Sequence, residues 1–321
     1  MNNENELASP AGKASESYSV ASGDQGKRID KFLSEGMADV SRSHLQKMIE
    51  RGDITVNGSP VRTNYKLREG DEIRILTDTA PVPVAIVPQD IPLSIIHEDD
   101  DLLIVDKPKG MVVHPAAGHP DGTLVNAVLF HCGERLSGIN GELRPGIVHR
   151  IDKDTTGSLI VCKNDRAHQL IAEQIAVHSI RRSYVGIVHG NVKEESGTID
   201  APIGRDPKNR KRMAVNAAHG KRAVTHYHIL KRLKGYTYLQ FDLETGRTHQ
   251  IRVHAASMGH PLLGDEVYGP KKCPFRLQGQ TLHAWRIGFV HPATGEYVEY
   301  EAPVPEYMEE LVRVAEGTNY E

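Results

Sequence analysis

The chain has 321 residues, of which 39% are hydrophobic and 25% are charged, and its formal net charge is −3. This composition is typical of a soluble protein with about two domains and excludes a membrane protein, because no apolar run approaches the roughly 18 residues that a membrane helix requires. The N-terminal residues lack the apolar core of a signal peptide, and the three cysteines are too widely spaced for a disulfide framework or a zinc knuckle, so we expect a cytoplasmic protein.

The first 78 residues divide into a polar segment and a small folded domain. Residues 1–25 are polar, acidic and small, and we expect them to be disordered because they cannot bury enough apolar surface. Apolar residues at helical spacing then predict two short helices, the second with Ser41 as its N-cap. These residues are Ile29, Phe32, Leu33, Leu45, Met48 and Ile49. The segments I-T-V-N-G-S-P-V-R and E-G-D-E-I-R-I-L predict three strands, of which the first two are joined by a turn at Asn57 and Gly58.

The segment S-R-S-H-L-Q-K-M-I-E-R-G-D-I-T-V-N-G within this domain resembles the S4 RNA-binding domain. The resemblance covers residues 26–78 and implies a helix pair that packs on a small sheet and docks on structured RNA. Arg42, Lys47 and Arg51 would lie on the exposed side of the second helix, where they could contact phosphates. The alternative is that they only solvate that side of the helix.

A proline-rich segment separates the small domain from the rest of the chain. Residues 79–93 contain four prolines and predict a linker of limited flexibility. Beyond it, strand-like runs follow one another through short connections, and a helix is predicted from Asp165 to His178. This order predicts an α+β domain over residues 94–310, with a mainly antiparallel mixed sheet flanked by helices. Residues 311–321 are predicted to be an acidic tail, because eight glutamates and one arginine lie between positions 296 and 321.

Nine residues, from His149 to Gly157, place one carboxylate in a polar turn between two strand-like runs. They read H-R-I-D-K-D-T-T-G, and the carboxylate belongs to Asp152. By composition alone an acid in such a place is more often only a turn residue, since Asp binds its own backbone. The segment, however, resembles the H-R-L-D-x-x-T-S-G signature of the RluA-type family of pseudouridine synthases, with conservative departures at Ile151 and Thr156.

Four further segments resemble the same family in the same order. They are D-K-P-K-G-M-V-V-H-P from Asp106, R-S-Y-V-G-I-V-H-G from Arg182, T-G-R-T-H-Q-I-R-V-H from Thr245 and G-H-P-L-L-G-D-E-V-Y-G from Gly259. The resemblance implies an enzyme that cleaves the N1–C1′ bond of uridine, turns the uracil and joins its C5 to C1′. It implies Asp152 as the catalytic residue, and it implies no cofactor and no metal.

The resemblance also implies which cation lies beside the acid. Arg252 would keep Asp152 ionised from a helix predicted over residues 249–258, with Thr248 as the N-cap of that helix. Arg247 competes for the same role. Without the motif, Arg252 would be taken for an exposed helix arginine.

Three more residues receive roles from the resemblance. Tyr184 would stack on the uracil and help to remove the C5 proton, and Leu282 would line the base pocket. Each could equally be a packing residue. Arg150 would occupy the space that the target base leaves when it turns out of the RNA stack, and its alternative is an ion pair with Asp154.

Two sets of residues could suggest a metal site but do not fit one. Asp152 and Asp154 are two positions apart, so in an extended chain they point to opposite sides. His249, His254 and His260 match no common zinc-ligand spacing.

Positive charge is concentrated between Arg205 and Arg222, a segment that contains seven Lys or Arg residues and one Asp. Charge runs are usually solvated loops, but a polyanionic substrate favours an RNA-contacting loop that includes Lys211 and Arg212.

We therefore expect a monomeric, cytoplasmic enzyme that converts uridine to pseudouridine in RNA. The S4-bearing members of the family imply 23S ribosomal RNA as the substrate. Two alternatives stay open, namely a non-catalytic ribosome-assembly factor that only binds RNA, and a metal-dependent nuclease or base-releasing glycosidase. A matched acid, phenol and cation favour the isomerase over the binding factor, because binding alone requires none of the three.

Overall fold

A computed structural model describes residues 14–37, 42–77, 86–116, 118–133, 135–139, 144–209 and 212–317. The chain forms two compact units that divide between residues 84 and 85. Among the helices of the described residues, not one is both long and apolar enough to cross a bilayer.

The N-terminal unit is a helix pair packed on a four-stranded antiparallel sheet. Its helices are α1 (Ile29–Gly36) and α2 (Arg42–Arg51). Its strands are β1 (Ala14–Ser19), β2 (Ile54–Val56), β3 (Ser59–Pro60) and β4 (Glu72–Thr77), in the order β1-β4-β2-β3. The apolar residues predicted for the two helices pack on alternate residues of β2 and β4, such as Ile54 and Ile73, which face one side of the sheet because side chains alternate along a strand.

The prediction that residues 1–25 are disordered is wrong for the part that the structure describes. Strand β1 pairs with β4 from Ala14↔Thr77 to Ser19↔Glu72, and Val20 is buried in the core of this unit. Polar composition did not prevent this pairing, because an edge strand is held by backbone hydrogen bonds that need no apolar side chains. Residues 1–13 and the predicted N-cap Ser41 lie outside the described residues.

The C-terminal unit is built on a nine-stranded mixed sheet. Its strands run in the order β5-β6-β7-β14-β8-β13-β12-β9, and β15 pairs with β14. They are β5 (Ser94–Glu98), β6 (Leu102–Lys107), β7 (Thr156–Cys162), β8 (Arg181–His189), β9 (Ser196–Asp200), β12 (Val224–Leu233), β13 (Tyr236–Leu243), β14 (Leu282–Val290) and β15 (Tyr297–Glu301). A separate hairpin joins β10 (Ile203–Arg205) to β11 (Met213–Val215). The pairing of β7 with β14 is parallel and the other pairings are antiparallel, which confirms the predicted α+β fold class.

Helices cover both faces of this sheet. They are α3 (Leu124–Cys132), α4 (Asp165–Ala176), α5 (Gln250–Ser257) and α6 (Glu306–Glu316). Leu103 and Val105 of β6 share a core cluster with α3 and α5, whereas Leu102 and Ile104 share another with α4. Alternate residues of one strand therefore pack on opposite layers, and this explains why β6 is a nearly continuous apolar run.

Glycine permits the close approach of the two parallel strands beside the predicted catalytic turn. Gly157 has φ 109° and pairs with Ala284, and a Cβ at this position would collide with the backbone of Ala284. The last residue of the motif, five positions after Asp152, is thus the second residue of β7 and pairs it closely with β14.

Two predicted segments of the C-terminal unit differ from the structure. The acidic tail predicted for residues 311–321 is helical as far as Glu316, because Met308, Leu311 and Ala315 form a buried stripe at helical spacing. Helix α4 ends at Ala176 rather than His178, whose left-handed φ of 61° cannot continue a helix.

The predicted linker is described from residue 86 onward, and this part is attached to the C-terminal unit. Ile86 and Leu93 pack against its core, and Asn126 donates a hydrogen bond to the carbonyl of Val87. Apolar residues between the prolines supply this contact, which the prediction of a linker did not consider.

Candidate active site

The turn that carries Asp152 is anchored at both ends. Before it, Nε2 of His149 accepts the backbone N–H of Ile160 at 3.0 Å, and burial lowers the pKa of His149 to about 3, so the ring remains a neutral acceptor. Within the turn, the N–H of Thr155 donates to the carbonyl of Asp152 at 3.1 Å. The acid therefore lies on a short loop that its neighbours hold in place.

A buried lysine supports the same turn from the core side. The ammonium group of Lys107 donates to the carbonyls of Pro108, Met111 and Lys153 at 2.8, 2.9 and 3.0 Å. Burial lowers the pKa of Lys107 to about 8, although the charges of Asp154 and Asp152 act in the opposite direction. A fully buried lysine with three carbonyl partners is a structural clamp, and it lies in the segment that resembles the family from Asp106 onward.

Asp152 meets a cation through one of its two oxygens. Nη1 of Arg252 lies 3.0 Å from Oδ2 of Asp152, whose side chain keeps 18% of its surface exposed. Nε and Nη2 of the same guanidinium bind both oxygens of the buried Asp265 at 2.7 and 2.9 Å. Arg252 is thus held in a fixed orientation between two carboxylates.

Arg252 and the carboxylates beside it stabilise each other's charged forms. Burial by itself would lower the pKa of Arg252, but hydrogen bonds and charge from Asp265 and Asp152 outweigh it and raise that pKa. Burial by itself would likewise raise the pKa of Asp265, yet Arg252 and two backbone N–H groups lower it. Both partners therefore remain charged at neutral pH.

Helix α5 places Arg252 in its first turn, but it begins differently from the prediction. The N-cap is His249, in a left-handed conformation, and not Thr248. Oε1 of Gln250 accepts the N–H of Arg247 at 2.9 Å, so a side chain inside the helix closes the turn that a capping threonine was expected to close. Arg252 is buried rather than exposed on the helix surface.

Arg247, the competing cation, does not contact the acid in the structure. Its Nε donates to the carbonyl of Arg222 at 3.0 Å, although its side chain lines a cavity beside Asp152. The geometry therefore brings Arg252, and not Arg247, to the carboxylate.

Two adjoining cavities meet at the acid and share Arg150, Ile151, Asp152, His249 and Arg252. The smaller, of about 60 Å³, is also lined by Tyr184 and Leu282, and the larger, of about 350 Å³, extends towards His114 and Lys153. The structure thus brings six residues predicted for the reaction or for the base into one place: Asp152, Tyr184, Arg252, Arg150, Arg247 and Leu282.

Tyr184 and Leu282 lie on neighbouring strands, β8 and β14, and both are largely buried. Burial raises the pKa of Tyr184 and the charge of Asp152 adds to this, while Arg182 acts against it, so the phenol is protonated at neutral pH. An aromatic ring and an aliphatic side chain on the wall of a small cavity can enclose a planar base.

Arg150 is exposed beside both cavities. Among the described residues it has no ion-pair partner, and Asp154 instead packs against Gly279. The alternative of an Arg150–Asp154 pair is therefore not formed in the structure.

The residues predicted to contact RNA occupy different settings. In the N-terminal unit, Arg42 binds the buried Asp30, Arg51 lies 2.9 Å from Asp53, and Lys47 is exposed. In the C-terminal unit, Arg212 lies over the ring of Tyr268 at 5.2 Å, and Lys211 lies outside the described residues.

Sequence reasoning missed three residues of the site: Lys107, Asp265 and His249. The first two lie in segments that resemble the family, but the resemblance was not used to assign them roles. His249 was considered only as a zinc ligand together with His254 and His260, whereas the structure directs those two histidines to the carbonyls of Ala201 and His189.

Comparisons with known proteins show which family the chain belongs to. The family model for RNA pseudouridylate synthase matches residues 101–257, and the S4 domain model matches residues 27–73. The uncharacterized RNA pseudouridine synthase YlyB of Bacillus subtilis is 52% identical over 288 residues, which cover 89% of this chain and 93% of the relative. A protein of Zymomonas mobilis named ribosomal large subunit pseudouridine synthase D is 48% identical over 299 residues, covering 90% of this chain and 94% of that relative.

The fold is also found among solved structures. Human RNA pseudouridylate synthase domain containing 1 aligns with a TM-score of 0.54 at 24% sequence identity, over 76% of this chain and 100% of that one. With an S4 domain in its N-terminal part and relatives that match it over most of their length, the chain belongs to the RNA pseudouridine synthase family and is an isomerase that makes pseudouridine in RNA.

Proposed function

We propose that the enzyme isomerises specific uridines in 23S ribosomal RNA. Relatives from Zymomonas mobilis and Neisseria meningitidis, 48% and 42% identical, are named ribosomal large subunit pseudouridine synthase D. The S4 domain supports a structured RNA as the substrate. All of these relatives are named as synthases, so the alternative of a non-catalytic assembly factor finds no support.

One observation carries the proposed chemistry. Oδ2 of Asp152 is held by Arg252, whereas Oδ1 accepts no hydrogen bond from the described residues, and Asp152 lines both cavities. In our proposal this oxygen either attacks C1′ or removes a proton from C2′, and either step breaks the N1–C1′ bond while the pocket retains the uracil. The base then turns and C5 bonds to C1′ as the carboxylate leaves C1′ or returns its proton to C2′, after which the proton on C5 is lost and N1 takes up a proton.

The walls of the smaller cavity have distinct roles in this proposal. Tyr184 stacks on the uracil and assists removal of the C5 proton, and Leu282 confines the ring from the neighbouring strand. Arg252 balances the negative charge of the Asp152 carboxylate and holds that carboxylate in place. Arg247 binds the nucleotide at the rim of the cavity. No cofactor or metal takes part in these steps.

RNA approaches from the exposed side of the cavities. Arg150 is exposed and unpaired among the described residues, so it can enter the stack where the target base has left and reduce the cost of a few kcal/mol for turning that base out. Lys211 and Arg212 contact phosphates in the basic segment, and Arg42, Lys47 and Arg51 do so on an S4 module of residues 26–78. The enzyme acts as a monomer in the cytoplasm.

Tritium release from RNA labelled at C5 of uridine tests the proposal. We expect release from unmodified 23S RNA by the intact protein, with or without a chelator, and a fall of roughly 10³-fold or more in Asp152→Asn. The matched control is Asp101→Asn, since Asp101 immediately precedes β6 and lines neither cavity. Free uracil among the products would indicate a glycosidase, and no release from naked RNA or ribosomal subunits would contradict the proposed substrate.

A further inference from the structure

His249 lies where the two cavities meet, between Asp152 and Tyr268. Its Nε2 is 3.8 Å from Oδ1 of Asp152, and its Nδ1 is 2.9 Å from the hydroxyl of Tyr268. The backbone has a φ of 57°, which non-glycine residues adopt at a cost and which recurs at functional sites. This conformation directs the two ring nitrogens towards the two different partners.

The hydrogen bonds of Tyr268 favour one position for the proton of a neutral His249 ring. The Tyr268 hydroxyl accepts the backbone N–H of Met213 at 3.0 Å, so its own proton is available for donation to Nδ1. Burial raises the pKa of Tyr268, although Met213 and Arg252 act against this, so the phenol keeps that proton at neutral pH. With Nδ1 as the acceptor, the proton of a neutral imidazole is on Nε2, on the side of Asp152.

The surroundings also keep His249 neutral. Burial lowers the pKa of His249, and the positive charges of Arg252 and Arg150 act in the same direction. The negative charges of Asp152 and Asp265 oppose them without reversing the shift. An N–H donor that carries no full charge thus faces the catalytic carboxylate.

We propose that His249 is a positioning residue that holds Oδ1 of Asp152 through its Nε2–H, and that Tyr268 fixes the required tautomer. The inference rests on the proposed function of Asp152. Arg252 restrains Oδ2, and His249 supplies the donor for the oxygen that Arg252 leaves unheld. At 3.8 Å the two atoms are beyond hydrogen-bond distance, and a small movement on RNA binding brings them together, as catalytic hydrogen bonds commonly tighten in the complex.

The same contacts connect Asp152 to the basic hairpin. Met213 is the first residue of β11, and Arg212 lies over the ring of Tyr268. Contacts thus run from the hairpin through Tyr268 and His249 towards Asp152.

Two variants test the proposal in the full-length protein. Tyr268→Phe keeps the ring and removes the hydroxyl, and His249→Asn removes the imidazole with a residue that tolerates the left-handed conformation. We expect each to lower the single-turnover rate of tritium release by roughly tenfold, the effect of one lost hydrogen bond to a charged group, with an unchanged KM for RNA. The matched control is Tyr300→Phe, whose ring stacks on His97 and lines neither cavity.

The pH profile separates positioning from loss of structure. In Tyr268→Phe the freed Nδ1 can bind a second proton, so the acid limb of the rate profile moves to higher pH, whereas a structural defect lowers the rate equally at every pH. Wild-type rates in both variants, or an equal loss at all pH values, would overturn the proposal.

Imidazole ¹⁵N shifts provide a readout that needs no RNA. In the free protein we expect His249 to have an unprotonated Nδ1 and a protonated Nε2, a mixed signal in Tyr268→Phe, and a shifted Nε2 signal in Asp152→Asn. A proton on Nδ1 in the wild type would overturn the proposal. Because this result does not depend on turnover, a wild-type protein that is inactive on 23S RNA would count against the proposed function alone.

Discussion

The two units of the molecule each place an aspartate beside arginine, and they do so in opposite ways. In the N-terminal unit, Asp30 has no exposed side-chain surface and accepts hydrogen bonds from Arg28, Arg42 and Gln46. In the C-terminal unit, Asp152 is 18% exposed and accepts one side-chain hydrogen bond from the part of the chain that the structure describes, donated by Arg252. A carboxylate that is saturated, with hydrogen bonds to both of its oxygens, stabilises the fold. A carboxylate in a cavity with one oxygen that accepts no hydrogen bond remains available for chemistry.

Energetics explain why both arrangements persist. Burial by itself would raise the pKa of Asp30, but the hydrogen bonds from Arg28, Gln46 and Arg42 outweigh it and lower that pKa to about 2. The second carboxylate on Arg252, Asp265, is saturated in the same manner as Asp30. A single guanidinium thus contacts one saturated aspartate, Asp265, and the aspartate that we propose as the reactive one, Asp152.

Among the variants that test this comparison, Arg252→Lys should produce the largest effect, because it breaks the contacts of Asp152 and Asp265 with one guanidinium. Lysine keeps the charge but cannot bind Asp265 with two parallel hydrogen bonds and reach Asp152 as well. We expect the single-turnover rate to fall by roughly 10²-fold, from the loss of one or two charge-assisted hydrogen bonds, with little change in RNA affinity. Rapid-quench tritium release and filter binding measure the two quantities, and a rate within threefold of wild type would contradict the assigned role.

Asp30→Asn tests the structural aspartate. Two arginines lose their common anion, and we expect the free energy of local unfolding of α1 and α2 to fall by about 2 kcal/mol at neutral pH. Hydrogen exchange in the full-length protein measures this as a loss of amide protection in these helices. The control is Asp24→Asn, whose carboxylate pairs with the partly exposed Lys27, and equal protection in the two variants would show that saturation does not matter.

At acid pH the wild type and Asp30→Asn should no longer differ in the amide protection of α1 and α2. The folded-state pKa is lowered from 3.8 to about 2, so the stabilisation is complete above the unfolded value and is lost as the pH falls through the folded one. Protection of α1 and α2 in the wild type should therefore converge on that of Asp30→Asn between about pH 4 and pH 2. A difference that persists below this range would mean that the carboxylate charge is not its source.

Lys47→Ala should give the smallest effect, since a solvated lysine makes a single phosphate contact at most. We expect a severalfold weaker affinity for RNA and a salt dependence of log K that is less steep by about one unit. Lys31→Ala, which removes a lysine 3.7 Å from Glu35 on α1, is the control. If both variants have the wild-type slope, α2 does not contact phosphates through this residue.

Local patterns in the sequence predicted most of the elements but not the contacts between distant ones. Helices α1 and α4 and the strands around Asp152 followed from apolar periodicity, which reflects how a single element packs. Two segments that resemble the family predicted that Arg252 lies beside Asp152, yet nothing in their spacing of 100 positions reveals that Arg252 also binds Asp265. The contacts of Arg252 with two carboxylates depend on how α5 and the turn that carries Asp152 pack in three dimensions.

Charge and polarity were the less reliable guides. The acidic C-terminal segment was predicted to be a tail, but α6 buries a narrow apolar stripe. The polar N-terminal segment was predicted to be disordered, but β1 is held through its backbone hydrogen bonds. Average composition hides both features, because three buried residues suffice for a helix and none is required for an edge strand.

Strand β1 has a consequence for any shortened form of this protein. The S4 family match begins at residue 27, so a fragment that begins there would lose β1 and leave the six residues of β4 as an open edge. Such an edge offers unpaired backbone groups beside the apolar residues Ile73 and Ile75 and is a template for strand addition by another molecule. The segment before the recognisable domain therefore protects it from aggregation, and fragments that begin at residue 27 should self-associate where those that begin at residue 14 do not.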